Sequence, residues 1–225
     1  MPNKFYMDVH DFGFLMPGMD EIIRMQRLIP DFKMTAFTIP FPKEFFQPGN
    51  QKHFKVEKYK KWAEVINSYE WLEIGLHGFA HTHFEMTKPY DTIMTMLTAS
   101  ENMFERIGLN YKKICCAPYW QYSYDAFVAL RDKGYIVAIN SNHPRNVPEG
   151  TKTFQNNWSF EEMLPDTDII VGHGHCGYSP NVKNNLDACY QNIITNVPAD
   201  ASFGFISEDY VEINKLERNI NHESK

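Results

Sequence analysis

Apolar positions along this chain recur in two periods. Short apolar-rich runs that read as strands alternate with stretches whose apolar residues fall at helical spacing. Lys4 to His10, KFYMDVH, predicts a first strand, and Gly13 breaks it. Pro17 to Ile29 predicts a helix with Met19, Ile22, Ile23 and Leu28 near helical spacing and Pro30 closing it. Lys33 to Ile39 predicts a second strand, stopped by Pro40. Val56 to Ser68 predicts a helix with Tyr59, Trp62, Ala63 and Ile66 on one face. Trp71 to Leu76 predicts a third strand that runs straight into histidines at 77, 81 and 83. A long helix over Asp91 to Ile107 follows, and its methionines suit core packing. Lys113 to Ala117 predicts a strand, Tyr124 to Lys133 a helix capped by Gly134, and Tyr135 to Asn140 a strand. The remaining elements are a short strand at Thr151 to Phe154, a short helix at Ser159 to Leu164 and a strand at Asp168 to Val171. After them come a helix at Asn184 to Thr195 and a strand at Phe203 to Ile206. The charged tail from about Leu216 is expected to fray.

Strands and helices that alternate on short connections specify a parallel sheet or barrel with helices outside. No repeat, low-complexity tract or linker divides the chain, so residues 1–225 read as one domain. With 43% hydrophobic and 22% charged residues the chain can build a substantial core, which excludes wholesale disorder. A net charge of −6 argues against a general nucleic-acid binder and gives no attraction to anionic membrane. No apolar run reaches the ~18 residues that span a bilayer. MPNKFYMDVHDFG lacks a secretory pattern, so a cytoplasmic location is the expectation. Cys115, Cys116, Cys176 and Cys189 show no CxxC spacing and no disulfide framework.

Polar groups gather where strands end: Asp8, His10 and Asp11; His77 and His81; Pro118 and Tyr119; His173 and His175. In parallel α/β folds that face carries the site. Two imidazoles, one carboxylate and open water positions form a hydrolytic metal site, and His77, His81 and Asp11 can supply the set. HxxxH alone is a weak signal; the acidic residue behind the first strand and the late histidines strengthen it. Strand alternation puts Asp8 and His10 on one face, with Asp11 past the strand end. His83 reads as a bystander and Cys176 as a less favoured soft ligand. Cys115 and Cys116 read as small buried residues. Trp120 can line a groove, Trp158 suits the core equally well, and His53, His143 and His222 read as surface residues.

These motifs resemble the polysaccharide deacetylase family, carbohydrate esterase family 4 or NodB homology domain, from about Phe5 to about Tyr178. The resemblance implies a distorted (β/α)7-type barrel. In that family the first strand ends in an Asp-Asp pair, the first the general base and the second a metal ligand. YMDVHDFG places His10 at the base position and Asp11 at the metal position. The H-[ST]-x-x-H motif is matched by HGFAH, so the resemblance makes His77 and His81 metal ligands, with Gly78 for the usual Ser or Thr. The R-x-P-Y motif is matched by CAPYW. Pro118 and Tyr119 fit, the Tyr119 N–H is implied in the oxyanion hole, and Cys116 stands for the arginine that orients the base. DIIVGH matches the late motif, which makes His173 the implied general acid and His175 the alternative.

The implied activity is metal-dependent removal of an N- or O-acetyl group from a carbohydrate by an activated water. His10 or Asp8 would accept the water's proton, and Pro118, Tyr119, Trp120 and His175 would border the substrate. Zn2+ is the first expectation, with Co2+, Ni2+, Mn2+ or Fe2+ as other ions. A cytoplasmic member would act on a sugar precursor of O-antigen or capsule. Two other readings stand beside it. One is an allantoinase-like hydrolase of a non-sugar amide or ureide on the same fold. The other is an inactive carbohydrate-binding module that keeps the metal site. No nucleic-acid partner or membrane insertion is expected, and oligomeric state is not legible in the sequence.

Overall fold

A computed structural model describes residues 4–14, 19–42, 55–140, 146–160, 162–176, 186–211 and 213. They form strands β1 (Lys4–Phe12), β2 (Met34–Thr38), β3 (Leu72–Leu76), β4 (Ile114–Cys115), β5 (Ile136–Ile139), β6 (Lys152–Gln155), β7 (Trp158–Ser159), β8 (Ile169–His175) and β9 (Ser202–Gly204). The helices are α1 (Met19–Leu28), α2 (Val56–Asn67), α3 (Tyr90–Ile107), α4 (Tyr124–Asp132) and α5 (Leu186–Asn196).

Every strand pairing is parallel, and the order is β6-β5-β4-β3-β2-β1-β8-β7. β6 and β7 stand at opposite ends of that order, yet only Asn156 and Asn157 separate them. Three residue steps reach at most about 11 Å, so the sheet must curl until its ends meet. β6 and β7 are in effect one interrupted strand that pairs β5 below and β8 above. Seven strand positions therefore close a distorted (β/α)7-type barrel, as expected. β9 is an addition. It pairs Lys4 to Tyr6 of β1, whose other edge is taken by β8, so it lies beneath β2.

Alternation along the strands sorts two cores. Phe5, Met7 and Val9 face the helices, while Tyr6, Phe37, Ile114, Cys116, Phe154 and Val171 fill the barrel. β2 and β3 are buried along their whole length, which is why they read as nearly continuous apolar runs. Ile93, Leu97, Phe104 and Ile107 carry the packing face of α3. Its Met94 and Met103 are only partly buried and line the margin of the core instead of filling it. Ser123 caps α4 by accepting the Ala126 N–H at 3.1 Å.

Among the described residues one expected element is absent. Ser159 to Leu164 was predicted as a helix, but Ser159 belongs to β7 and pairs with His173. The reason lies in the glycines of GHGH. A Cβ on Gly172 would sit 2.7 Å from Trp158 and 2.8 Å from Phe160, and one on Gly174 would sit 2.3 Å from Phe160. The bare face of β8 gives these two rings room to pack against it. Burial of that aromatic pair outweighs the helical spacing of the segment. β8 also runs to His175, beyond the expected Val171, so that His173 and His175 share its opposite face. The expected tail from Leu216 lies outside the described residues.

Candidate metal centre

The barrel lumen changes character along its axis. Its lower part is apolar; its upper rim holds Asp8, His10, His77 and, from β8, His173 and His175. β1 contributes two groups by simple alternation and a third by an irregularity. Its register with β2 shifts between Val9 and Phe12, and Asp11 takes a left-handed φ of 57°. Regular alternation would turn Asp11 away from His10; the irregularity brings its carboxylate to the same rim. Such a conformation costs a non-glycine residue roughly 1–2 kcal/mol and is commonly retained where a site needs it.

His77 is the first residue past β3, and its N–H still donates to Thr38 O at 2.8 Å. The loop behind it is held by Glu85. Its Oε1 accepts the Phe79 N–H at 2.7 Å. Its Oε2 accepts the Ala80 N–H at 3.1 Å and the Thr82 N–H and Oγ1–H at 3.0 Å. Gly78 has φ +62°, and a Cβ there would meet Glu85 Oε1 at 2.0 Å and Pro118 Cδ at 2.5 Å. The position is therefore closed to the Ser or Thr of the resembling motif, and the Glu85 carboxylate occupies that space.

This loop delivers His81 Nε2 to 2.8 Å from Asp11 Oδ1, while His77 Nε2 lies 3.3 Å from the same atom. The ligand atoms of Asp11, His77 and His81 all lie within 4.8 Å of one another. His77 Nδ1–H donates to Cys116 O at 2.9 Å, which leaves the lone pair of the neutral ring on Nε2. Burial holds the His77 pKa below its ordinary value, against the pull of Asp11. Burial would raise Asp11, but His175, His77 and His81 outweigh it and hold the carboxyl far below the usual range. Both groups are thus in the form that binds a metal. Asp11 Oδ1 is nonetheless buried without a partner of hydrogen-bond geometry. Ligand atoms gathered at these separations suit an ion with bonds of about 2.0–2.2 Å, and two imidazoles with one carboxylate suit zinc or a similar divalent ion.

A second cluster adjoins the first. Asp8 is fully buried; its Oδ1 accepts from His173 Nδ1 at 2.8 Å and its Oδ2 from Asn156 Nδ2 at 2.6 Å. His173 Nε2 is 3.2 Å from His175 Nε2, and His175 Nδ1 is 3.4 Å from Asp11 Oδ2. His10 is 2% exposed. Burial, and then the neighbouring imidazoles, hold its pKa well below the ordinary value. Its Nδ1 lies 3.8 Å from Cys116 Sγ, so the positions that replace the family's base and its orienting arginine touch each other. Burial pushes the Cys116 thiol up.

The other sequence candidates divide. Trp120 belongs to the site, its ring 5.1 Å from His10 and 5.3 Å from His173. Tyr119 is 46% exposed with φ 57°, its ring is 5.1 Å from His81, and among the described residues no acceptor takes its N–H. Pro118 is buried under Gly78. Asp8 does not fit as acceptor of a water's proton: both its oxygens already accept hydrogen bonds, and it stands behind His173. His83 stacks on Tyr119 at 3.7 Å, outside the ligand groups. Trp158 is core, donating to Glu162 O, and Cys176 is buried outside the ligand groups. His53, His143 and His222 lie outside the described residues. Sequence reasoning missed Glu85 and Asn156. No motif marks either one; both matter only because the fold brings them to a histidine loop and to Asp8.

No family profile and no curated protein matches the sequence. Solved structures do match. A protein assigned as a polysaccharide deacetylase from Mycobacterium smegmatis shares 14% identity over 95% of this chain and 91% of its own, with a TM-score of 0.59. A family 4 carbohydrate esterase from Bacillus anthracis shares 15% over 94% and 83%, with a TM-score of 0.54. A CE4 family pseudoenzyme from Bacillus anthracis shares 14% over 93% and 66%, with a TM-score of 0.57. The chain has the fold of the CE4 polysaccharide deacetylases.

Proposed function

We propose that this chain is a divergent polysaccharide deacetylase that removes an N- or O-acetyl group from a carbohydrate, with one divalent ion held by Asp11, His77 and His81. The observation that carries the reading is the convergence of those ligands on the unpartnered Asp11 Oδ1, with His77 fixed from behind by Cys116 O. An ion bound there supplies Lewis-acid polarisation of the acetyl carbonyl and activation of water. The rest of the chemistry falls to the chain. The Tyr119 N–H is free to donate to the oxyanion that develops, a contribution of roughly 2.7–4 kcal/mol when one such donor is lost. His173 gives a proton from Nε2 to the leaving group, while Asp8 holds its Nδ1–H and supports the charged ring. His10 takes the water's proton. Burial keeps it neutral, the state an acceptor needs, but also makes it a weak base, so turnover slower than with an aspartate base is expected. Trp120 offers a face on which a sugar ring can stack.

Acetate release from a panel of acetylated sugars by zinc- and cobalt-loaded protein tests this reading. Nucleotide- and lipid-linked amino sugars, chitin oligomers and allantoin belong in the panel. Release that disappears in Asp11→Asn and His77→Ala supports it. Ureide hydrolysis without acetate release would favour the non-sugar amidohydrolase. The replaced base and arginine also favour one other reading, a binding module; metal-dependent sugar binding with no product over long incubation would establish that instead.

A further inference from the structure

Beside the Asp11 centre, the ligand atoms of His10, His173 and His175 also lie within 4.8 Å of one another. Their hydrogen bonds leave them frustrated. His173 spends its Nδ1–H on Asp8, which puts a lone pair on Nε2 in the neutral ring. His175 Nδ1 faces Asp11 Oδ2, and donation there leaves its Nε2 lone pair as well. The two Nε2 atoms lie 3.2 Å apart, and a proton between them requires one ring to give up its Nδ1–H donation or to carry a positive charge. His10 stands over the pair with its ring 4.0 Å from His173, and its Nε2, 3.5 Å from Asp8 Oδ1, is buried without a hydrogen-bond partner. A buried nitrogen left unmatched costs roughly 1–3 kcal/mol, a cost that a bound ion removes.

We propose that His10, His173 and His175 form a second site for a zinc-like divalent cation, next to the Asp11 centre. Three imidazole nitrogens with an open fourth position are a recurrent zinc ligand set, and imidazole also suits copper and nickel. The orienting groups are in place. Asp8 behind His173 repeats the carboxylate–histidine–metal arrangement, and Asp11 stands behind His175. Because Asp11 also belongs to the first site, the two sites are linked through the Asp11–His175 contact. Filling the second withdraws His10 and His173 from proton transfer. On the functional reading above, one equivalent of metal activates and a second inhibits.

The test is cobalt titration of metal-free protein, followed by visible absorption, with bound metal counted by mass spectrometry after gel filtration. Wild type is expected to take two equivalents, the second more weakly. His10→Ala and His77→Ala are each expected to take one. His175→Gln replaces His10→Ala if circular dichroism shows that variant unfolded. One equivalent in wild type that His77→Ala loses and His10→Ala keeps would overturn the second site and leave the proposed function standing. One equivalent that His10→Ala loses and His77→Ala keeps would support this site and overturn the Asp11 centre. No bound metal would overturn both.

Discussion

Replacing Glu85 with alanine should loosen the loop that carries His81. The carboxylate accepts four hydrogen bonds, from Phe79, Ala80 and both donors of Thr82. Bonds to a charged acceptor contribute roughly 1.5–3 kcal/mol each. Thr82 is exposed and Phe79 is half-buried, so water replaces part of what is lost there; Ala80, 5% exposed, has no such substitute. Discounting the low end of the sum by half gives about 3 kcal/mol. If the whole domain feels the loss, the unfolding temperature falls by about 6–12 °C for a chain of this size. If the loop opens locally instead, the loss moves to metal affinity, which weakens about a hundredfold. Differential scanning fluorimetry of the metal-free protein and calorimetric zinc titration separate the two outcomes. Glu85→Gln keeps one acceptor oxygen and should show about half of either effect. An alanine variant with both the unfolding temperature and the zinc affinity unchanged would refute the role given to this carboxylate.

Gly78→Ser restores the residue of the resembling motif but should fail to fold stably, because the side chain meets Glu85 Oε1 and Pro118 at a left-handed φ; soluble yield and thermal melting check this. Asp8→Asn should leave zinc binding at Asp11, His77 and His81 and KM unchanged while kcat falls by about 10²–10⁴-fold, since it disturbs the orientation and charge of His173 and none of those three ligands. Trp120→Ala should raise KM for a sugar substrate more than it lowers kcat, as steady-state kinetics would show.

Most of the barrel could be read because its strands are apolar runs closed by glycine or proline, and those signals are local. The β7 segment could not, since SFEEML carries a helical spacing of its own and only the bare glycines of β8 decide the matter. The same holds within the site. His77 and His81 stand close in sequence on a recognisable loop, so their convergence was legible. The place of Asp11 beside these histidines was legible, but its left-handed turn was not. The partnership of Asp8 with His173 joins residues 165 positions apart and depends on β1 and β8 being neighbours. That pairing engages the Asp8 carboxylate with His173, which leaves it poorly placed to accept a water's proton. Glu85 and Asn156 carry no motif, and their importance comes wholly from tertiary placement.

Crystals grown with zinc, measured at the zinc absorption edge, test the central claim most directly. An anomalous peak bonded to Asp11, His77 and His81 is the expected result. Well-ordered density for these three side chains with no peak among them, at saturating zinc, would contradict it.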